Sequence, residues 1–591
     1  MNSDRIYFNK ITGVDINEKF ASNHELIKKP IKPSKFVLNP NLVKCTECKK
    51  EINLDVRSIR YQNYWYHEEC YITIYEKIPK QKSTTLEKNQ KTSIEKISQK
   101  DELRHRRVKQ DPVLYLLAAT ILAFLFSAAY LLIGSFSFIA MILAGILITY
   151  QLIDSKKWGT KKYRTSRKAP AIFPLFVLFL PFVLAGILTY EGYTAWESVY
   201  RAIILWGLTL VFWNTLLMIP LSIYSKNKEE GIQTTPYTPL VSIIIPAYNE
   251  EKVIANTIES AIEINYSNKD IIVVDDGSTD STLEIIKKYE KQGVKILHKE
   301  NGGKASALNL ALNFTKGEIV AILDADTLAS RNSISEIVKV FQSEKNIAAV
   351  AGNIKVKNKN NWITWCQALE YVAGIQITRR AFDMFGAITI VPGALGSFRK
   401  SVLLEAGSYD KETIVEDFDT TIKILKSGVI VRGTTKSVAY TEAPNTLKDF
   451  CNQRKRWYRG NLQVVTKHRN ALTNQRFGFL QKLAFPYMII AMVILPITGF
   501  FVLGSAIMAI IQGDGLFVLT SFGFFIALQY LISAMAVRID GDDPKMILYS
   551  VFFNLGYKQL LDALLLHASI VHLFKRKAKW TSAKRIGNNK G

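Results

Sequence analysis

Cysteine is scarce in this chain, with 5 residues among 591. Cys366 and Cys451 stand alone in the sequence and are interpreted as ordinary packing residues. Residues 1–30 contain no apolar core, so a cleavable signal peptide is not expected. No internal repeat is visible. Cysteines that stay reduced would agree with a cytosolic location.

Acidic residues are also in short supply, because 76 lysines and arginines outnumber 51 aspartates and glutamates and leave a net charge of +25. An excess of this size can indicate a nucleic-acid partner. Residues 1–110, 154–168 and 575–591 carry +22 of that charge, and these segments adjoin long apolar runs. The middle of the chain is therefore nearly neutral, which argues against nucleic acid and for membrane lipids as the partner of the basic segments.

Long apolar runs are the most extensive feature that is present. Those that are largely uncharged and close to spanning length are Val113–Ala129, Phe136–Ile153, Ile172–Tyr190, Ala202–Tyr224, Ala484–Ile511 and Leu516–Val537. Basic segments flank the ends predicted to be cytoplasmic, whereas the connections Glu191–Ser198 and Gln512–Gly515 carry acid and no base. The pattern predicts a multi-pass integral protein of the cell membrane, with its amino terminus and central domain in the cytoplasm.

The segment Met546–Phe574 raises a question of topology, since a further crossing would carry the basic tail to the outside. Polar residues such as Asn554, Lys558 and Asp562 interrupt it. We expect a re-entrant or amphipathic segment, or a split hairpin, in preference to a plain span.

Between the apolar blocks, β-branched stretches alternate with helical patterns. Strands are predicted at Val241–Ile245, Ile271–Val274, Val294–Leu297 and Ile319–Leu323, and helices at Glu250–Ile264, Ser281–Gln292 and Ala305–Phe314. This alternation predicts an α/β domain with a doubly wound parallel sheet.

Carboxylates follow these strands where parallel strands deliver side chains to a ligand-binding edge. They are Asp275 and Asp276 in VVDDGSTD, Asp324 and Asp326 in ILDADT, and Glu416 and Asp417 in VEDFD. Two carboxylates one residue apart can share a divalent cation that neutralises a diphosphate, and they accept Mg²⁺ or Mn²⁺. The sequence therefore predicts one acidic, metal-assisted site.

Seven motifs follow one another from about Pro239 to Trp457: IIIPAYNEE, VVDDGSTD, NGGKASALN, ILDADT, GALGSFRK, VEDFD and QRKRW. In this order they resemble the family 2 inverting glycosyltransferases, in particular the processive membrane branch of cellulose, hyaluronan and poly-N-acetylglucosamine synthases. The resemblance implies a GT-A type nucleotide-sugar domain and a UDP-sugar donor. Val415 stands where many relatives carry threonine, but the side chain at this position takes no part in the reaction.

The resemblance also implies a role for each motif residue. The contacts to the nucleotide sugar are Tyr248, Glu250, Asp275, Asp276 and Lys304. The metal ligands of the D-x-D motif are Asp324 and Asp326, which also touch the donor. The general base is Asp417, beside Glu416, and the Q-x-x-R-W residues that contact the acceptor and the diphosphate are Gln453, Arg456 and Trp457.

The chemistry of the residues agrees with these roles. Inversion needs a carboxylate that takes the proton from the acceptor hydroxyl, and Asp417, next to Glu416, is expected to have a raised pKa. Arg456 offers a planar fork for phosphate, and Trp457 an apolar face for a sugar ring.

The favoured function is an inverting transferase that extends a β-linked polysaccharide and translocates it. One alternative is non-processive transfer to a lipid phosphate as the lipid-linked acceptor, against which QRKRW argues. The other is a membrane scaffold that carries a zinc-binding module and an inactive transferase domain.

A separate signal lies near the amino terminus, where CTEC is followed by HEEC. Cys45, Cys48, His67 and Cys70 have the spacing of a structural zinc site whose two knuckles are joined by a hairpin, similar to half of a LIM domain. A closed site with four ligands leaves no position for chemistry, so this module is predicted to be a folding element or a docking surface for a protein partner.

The expected organisation follows from these segments. It comprises an extension (1–40), the zinc module (41–78), a charged linker (79–110), a first membrane block of four helices (111–225), the transferase domain (236–470), an interfacial helix (471–483), a second membrane block (484–575) and a basic cytosolic tail (576–591).

Overall fold

A computed structural model describes residues 58–61, 64–67, 111–133, 186–187, 190, 198–232 and 237–574. The predicted span Phe136–Ile153, nearly all of Ile172–Tyr190, the three zinc-module cysteines and the basic tail lie outside these residues. Strands Ser58–Tyr61 (β1) and Tyr64–His67 (β2) pair antiparallel, and their position matches the hairpin expected inside the zinc module.

The remaining strands are β3 Val241–Ala247, β4 Lys269–Asp275, β5 Lys295–His298, β6 Ile319–Ile322, β7 Thr327–Ala329, β8 Ile347–Val356, β9 Gly396–Arg399 and β10 Ile430–Thr441. The helices are α1 Pro112–Ile133, α2 Val199–Glu230, α3 Ile254–Ile262, α4 Thr282–Lys287, α5 Lys304–Phe314, α6 Ser333–Ser343, α7 Trp362–Leu369, α8 Ile377–Asp383, α9 Lys400–Glu405, α10 Glu416–Lys426, α11 Leu447–Lys467, α12 Phe485–Ile489, α13 Leu495–Ile511, α14 Gly515–Asp540, α15 Ser550–Phe552 and α16 Lys558–Leu573. Short 3-10 turns occupy Glu290–Gln292, Arg469–Leu472, Gln475–Phe477 and Pro544–Tyr549, and π-helical turns occupy Glu370–Gln376, Leu480–Ala484, Ile490–Ile494 and Phe553–Tyr557.

The central sheet has eight strands in the order β5-β4-β3-β6-β9-β8-β10-β7. Strands β4, β5 and β6 run parallel to β3 or to its neighbour, as the alternating pattern predicts. Strand β9 is antiparallel to β6 and β8, and β7 is antiparallel to β10, so these two strands, which the sequence does not predict, make the sheet mixed. The sequence gives no sign of this because β7 and β9 are three and four residues long.

Helices cover both faces of the sheet. On one face, α3 packs against β3 and α6 against β8 and β10, in a shared core that contains Ile243 and Ile245. On the other face, α5 packs against β3 and β4, in the core that contains Ile244. Every residue of β3 and β8 is buried, which explains their nearly continuous apolar sequence.

Two apolar helical segments in the described part are long enough to cross a membrane, Leu480–Ile511 and Gly515–Asp540. Shorter apolar stretches, Pro112–Leu125 and Val199–Val211, lie in α1 and α2 at two further predicted spans. At the end of the predicted interfacial helix (471–483), Leu480–Ala484 is a π-helical turn that continues into α12 and α13. These π-helical turns keep the segment continuous across Pro486 and Pro496, which lack a backbone N–H.

The segment after α14 is broken. Leu555 and Gly556 have non-helical backbone angles, and Gly556 has φ = 97°. Helix α16 then turns back and packs along α11. The break occurs within the stretch that the sequence predicts not to be a plain span.

Ion pairs join the apolar helices at both ends. Arg201, near the start of α2, pairs with Asp514 between α13 and α14. This contact places the start of α2 beside the predicted acidic connection Gln512–Gly515. Residues 191–197 of the other predicted connection lie outside the described residues. At the other end, Arg538 of α14 donates to Asp111 at 3.0 and 3.2 Å.

Candidate functional site

The loops that follow β3 and β4 interlock at one edge of the sheet. Asn249 adopts a left-handed backbone (φ = 54°) and its side chain accepts a hydrogen bond from the Thr279 N–H at 2.8 Å. The Glu250 N–H donates to the Thr282 hydroxyl at 2.8 Å. Tyr248 and Glu250 therefore lie on a loop that is fixed against the loop carrying Asp275 and Asp276.

Asp275 and Asp276 are adjacent but differ in their contacts. Asp276 accepts from Lys299 Nζ at 2.6 Å and from the Gly303 N–H at 2.7 Å, and both carboxylate oxygens accept from the Gly302 N–H. Its observed contacts shape the glycine loop, while its predicted contact with the nucleotide remains a prediction. Asp275 is fully buried, and its Oδ2 atom contacts His298 Nδ1 at 2.7 Å. The Oδ1 atom of Asp275 is buried with no hydrogen-bond partner.

Lys304 links two of the predicted carboxylate motifs. It is the first residue of α5, directly after Gly303 (φ = 84°), and its Nζ lies 2.7 Å from Asp324 Oδ1 and 2.8 Å from Glu416 Oε1. Burial lowers the pKa of Lys304, but the carboxylates of Asp324 and Glu416 outweigh this effect and raise the pKa well above its ordinary value. Lys304 therefore stays charged and holds β6 and α10 together at the site.

Gly393 permits this close approach. A Cβ atom at this position would lie 2.6 Å from Lys304 Nζ and 3.5 Å from Asp324 Oδ1, so no larger residue fits without displacing the lysine. The Gly393 N–H donates to Asp417 Oδ2 at 3.2 Å. One backbone position thus touches both the lysine and the predicted base.

Asp417 lies in the first turn of α10, where its Oδ1 atom accepts from the Phe418 N–H at 2.8 Å. Burial raises the pKa of Asp417 to about 6, and the charge of Glu416 adds to this effect while Lys304 opposes it. This agrees with the raised pKa expected from the sequence. A carboxylate with a pKa near the working pH is suited to accept a proton.

The Q-R-K-R-W motif lies on α11, with Gln453, Arg456 and Trp457 half-buried. This helix reaches the loop before Asp417 through Gly460, where an added Cβ would lie 2.7 Å from Val415 Cγ1. The structure therefore brings α11 against the segment that carries Glu416 and Asp417.

Sequence reasoning missed Tyr409, Arg379 and Arg454. The Tyr409 hydroxyl is buried without a hydrogen-bond partner, and its pKa is raised by burial and by Glu416. Arg379 donates to the Gly352 carbonyl at 3.1 Å, and burial lowers its pKa to about 10 although the charge of Asp417 opposes the shift. Arg454 is 2% exposed and pairs with Glu370 at 2.8 Å. Tyr409 and Arg379 lie outside the recognised motifs, whereas Arg454 occupies a position within Q-R-K-R-W to which the motif gives no role.

The metal-binding potential of the site depends on Asp324 and Asp326. Among the described residues, no group of three His, Cys, Asp or Glu side chains is arranged to hold a metal ion. Asp324 is about one-third exposed, and Asp326 Oδ1 accepts from the Thr327 hydroxyl at 3.1 Å. Two accessible carboxylates fit a Mg²⁺ or Mn²⁺ ion that takes its other ligands from water and phosphate. The predicted zinc ligands Cys45, Cys48 and Cys70 lie outside the described residues.

Comparison with known proteins agrees with this architecture. Residues 242–407 match the glycosyl transferase family 2 model. Poly-beta-1,6-N-acetyl-D-glucosamine synthase of Staphylococcus aureus is 28% identical over 246 residues, which cover 41% of this chain and 60% of that protein. The synthase of Staphylococcus epidermidis is 30% identical over 38% of this chain and 56% of that protein. The chain thus matches about three-fifths of the length of these relatives.

Solved structures with lower similarity include the Pyrobaculum calidifontis mannosyltransferase PcManGT in complex with GDP-Man and Mn²⁺, with 19% identity and a TM-score of 0.44 over 64% of this chain and 100% of that chain. S. aureus TarS 1-349 in complex with UDP-GlcNAc has 15% identity and a TM-score of 0.32 over 57% of this chain and 93% of that chain.

The α/β sheet with its acidic edge and the family match define a glycosyltransferase domain of the GT-A-like type. The chain carries a glycosyl transferase family 2 domain at residues 242–407. The enzyme class and the family expected from the sequence are confirmed at this level.

Proposed function

We propose that this protein is a membrane-embedded, inverting glycosyltransferase that moves a sugar from a UDP-sugar to a growing β-linked polysaccharide. The observation that carries the proposal is the cluster formed by Lys304, Asp324, Glu416 and Asp417. Lys304 bridges Asp324 and Glu416 at 2.7 and 2.8 Å, and Asp417 beside them has a pKa raised to about 6. The diphosphate end of a donor and a general base can therefore meet at one point.

Donor binding is assigned to the carboxyl ends of β3, β4 and β6. Asp275 ends β4 at this edge and Asp276 follows it, and both are assigned to the nucleotide. Asp324 and Asp326 would hold Mg²⁺ or Mn²⁺, whose charge would offset that of the leaving diphosphate. Tyr248 and Glu250, on the adjoining loop, are assigned to the nucleotide.

The chemical step is assigned to Asp417. Its carboxylate would take the proton from the acceptor hydroxyl as that oxygen attacks the anomeric carbon, and the bond to the diphosphate breaks on the opposite face. The Gly393 N–H would keep Asp417 oriented. Gln453, Arg456 and Trp457 on α11 are assigned to the acceptor and to the diphosphate.

Polymer extension and export are proposed from the same arrangement. The candidate membrane helices Leu480–Ile511 and Gly515–Asp540 follow the transferase domain directly, and α16 lies along the helix that carries Q-R-K-R-W. A cytoplasmic domain and a growing chain that passes into the membrane are consistent with this proximity. The similarity to poly-beta-1,6-N-acetyl-D-glucosamine synthases makes UDP-GlcNAc the first donor to test.

The test is UDP release by the detergent-purified full chain with UDP-GlcNAc, UDP-glucose or UDP-glucuronate and either Mg²⁺ or Mn²⁺, with products sized by gel. We expect one donor to be used, and we expect Asp417→Asn to lower its transfer by about 10²–10⁴-fold, the usual contribution of a general base. Asp270→Asn is the matched control, because Asp270 lies at the start of β4 and pairs with Lys295 at 3.1 Å.

Long carbohydrate made by the wild type and lost in Asp417→Asn would support the proposal. A product with a single sugar on a lipid would instead assign transfer to a lipid phosphate. Nucleotide binding without any turnover would favour an inactive scaffold, and equal activity of Asp417→Asn and wild type would refute the assignment of the base.

A further inference from the structure

Arg454 occupies an unassigned position of the Q-R-K-R-W motif, between Gln453 and Arg456. Its side chain is nearly inaccessible, with 2% exposure. Residues four before and three after Arg454 share its face of α11, and these are Phe450 and Trp457. The guanidinium carbon lies 5.1 Å from the centre of the Phe450 ring and 4.4 Å from that of Trp457. The arginine is therefore in contact with the predicted acceptor tryptophan.

Glu370 fixes the guanidinium in this place. Arg454 Nη2 lies 2.8 Å from Glu370 Oε2, and the same oxygen accepts from the Tyr557 hydroxyl at 2.5 Å. Glu370 begins the π-helical turn Glu370–Gln376, and Tyr557 ends the broken turn before α16. π-Helical turns within helices occur often at functional sites. Glu370 thus joins three segments next to Trp457: helix α11, the π-helical turn Glu370–Gln376 and the turn that precedes α16.

Stacking on the Phe450 and Trp457 rings also helps to hold the Arg454 side chain in place. The Nε atom of Arg454 is buried without a hydrogen-bond partner, so the ring faces and a single carboxylate define its position. A buried arginine is costly unless it is paired, and it is retained where a planar, oriented cation is useful. Trp457 itself remains partly exposed. One part of its ring system is thus fixed by Arg454, while another part is accessible.

We propose that Arg454, held by Glu370, is a positioning residue that orients the Trp457 ring to bind the terminal sugar of the acceptor. This inference rests on the proposed function, because it requires Trp457 to contact a glycan. Arg454 touches neither donor nor acceptor in this scheme. It restricts the tryptophan to one orientation, so that acceptor binding does not have to order the ring.

The test is Arg454→Lys in the detergent-purified full chain. Lysine keeps the charge that pairs with Glu370 but lacks the planar group that stacks on the indole. With UDP-GlcNAc saturating and a β-linked N-acetylglucosamine oligosaccharide varied, we expect the acceptor KM to rise by up to about tenfold, because acceptor binding must then order the tryptophan side chain. The KM for UDP-GlcNAc, measured from UDP release without acceptor, should not change.

Arg432→Lys is the matched control. Arg432 is also buried, with 3% exposure, and lies 2.6 Å from Glu344. This control measures the general effect of replacing a buried, paired arginine. If Arg432→Lys raises the acceptor KM as much as Arg454→Lys does, or if Arg454→Lys raises both KM values equally, the inference is overturned.

A double-mutant cycle keeps the test decisive if Arg454→Lys also lowers stability. If Arg454 acts through Trp457, the effect of Arg454→Lys on acceptor KM should disappear in a Trp457→Ala background. Additive effects would overturn the inference. A wild type that transfers no sugar would refute the proposed function itself, whereas an active wild type with unchanged Arg454→Lys kinetics would refute only the role of Arg454.

Discussion

At the residue scale, the raised pKa of Asp417 predicts the pH dependence of the reaction. Burial is the main cause and Glu416 the second, and together they place the pKa at about 6. A general base must be ionised, so kcat should fall as the pH decreases through about 6 and should level off above it. The measurement is kcat between about pH 5 and pH 8 with both substrates saturating.

Glu416→Gln provides the internal check. Removing this neighbouring negative charge should lower the pKa of Asp417 and move the acidic limb to lower pH. Glu416 also pairs with Lys304, so kcat itself is expected to decrease. A limb that stays in place, or a wild type that is fully active near pH 4, the ordinary pKa of a carboxyl group, would contradict the assignment.

The sequence identifies the main carboxylates of the site but not their environment. Asp324, Glu416 and Asp417 lie in recognisable motifs, and the structure brings all three to Lys304 or its neighbours. The motif cannot reveal that Asp276 is engaged by Lys299 and a glycine loop, because those contacts depend on the loop conformation. Arg454 could not be predicted either, since its partner Glu370 is 84 residues away along the chain.

At the scale of elements, the packing of α11 on the Asp417 loop makes a second prediction. Alanine at Gly460 would place its Cβ 2.7 Å from Val415 Cγ1 and 3.3 Å from Val415 Cβ. Gly460→Ala should therefore displace the loop and lower kcat by about 10²-fold, since displacements near 1 Å can have effects of that size. Helix propensity alone would make the same change favourable.

The second-site variant Val415→Ala distinguishes the two effects. It removes both methyl groups that would clash, so Gly460→Ala combined with Val415→Ala should regain most of the activity lost in Gly460→Ala. Gly523→Ala is a suitable control because a Cβ there meets nothing within 4 Å. If the double variant is no more active than Gly460→Ala, steric contact with Val415 is not the cause.

The order and type of most elements between 241 and 323 follow from local pattern, as the agreement of β3, β4, β5 and β6 with their predicted positions shows. Apolar runs bounded by turn residues are sufficient for buried parallel strands. The antiparallel direction of β7 and β9 depends on their pairing with β10, β6 and β8, which are distant in sequence, so a local pattern cannot predict it. The break at Gly556 is similar, since a positive φ at one glycine is a property of the folded chain.

At the scale of the whole molecule, buried charges connect the apolar helices to the transferase domain. Glu229, in the last turn of α2, accepts from the Thr434 hydroxyl at 2.6 Å and pairs with Arg380 at 3.3 Å. At the end of α14, Asp540 accepts from Asn353 at 2.8 Å. Both helices thus end on strands β8 and β10 of the sheet. These contacts fasten the ends of α2 and α14 to the sheet.

The contact between Lys355 and the end of α14 makes a prediction about this connection. Lys355 Nζ lies 3.0 Å from Asp540 and 3.4 Å from Asp542, and all three side chains are less than one-tenth exposed. Asp540→Asn leaves a buried lysine with one carboxylate, which should destabilise the protein by about 2 kcal/mol, below the full cost of an unpaired buried charge. The corresponding decrease in Tm is about 4–8 °C.

The measurement is thermal unfolding of the detergent-purified chain, with Asp543→Asn as the control. Asp543 accepts from the Lys545 N–H at 2.9 Å, and asparagine can keep this contact.

Lys355 and Lys359 hold the pKa of Asp542 below its ordinary value against the effect of burial. Its stabilising contribution is therefore present above the unfolded pKa and is lost as the pH falls through the lower folded pKa. Equal Tm values for Asp540→Asn and Asp543→Asn would show that this ion pair does not fasten α14 to the sheet.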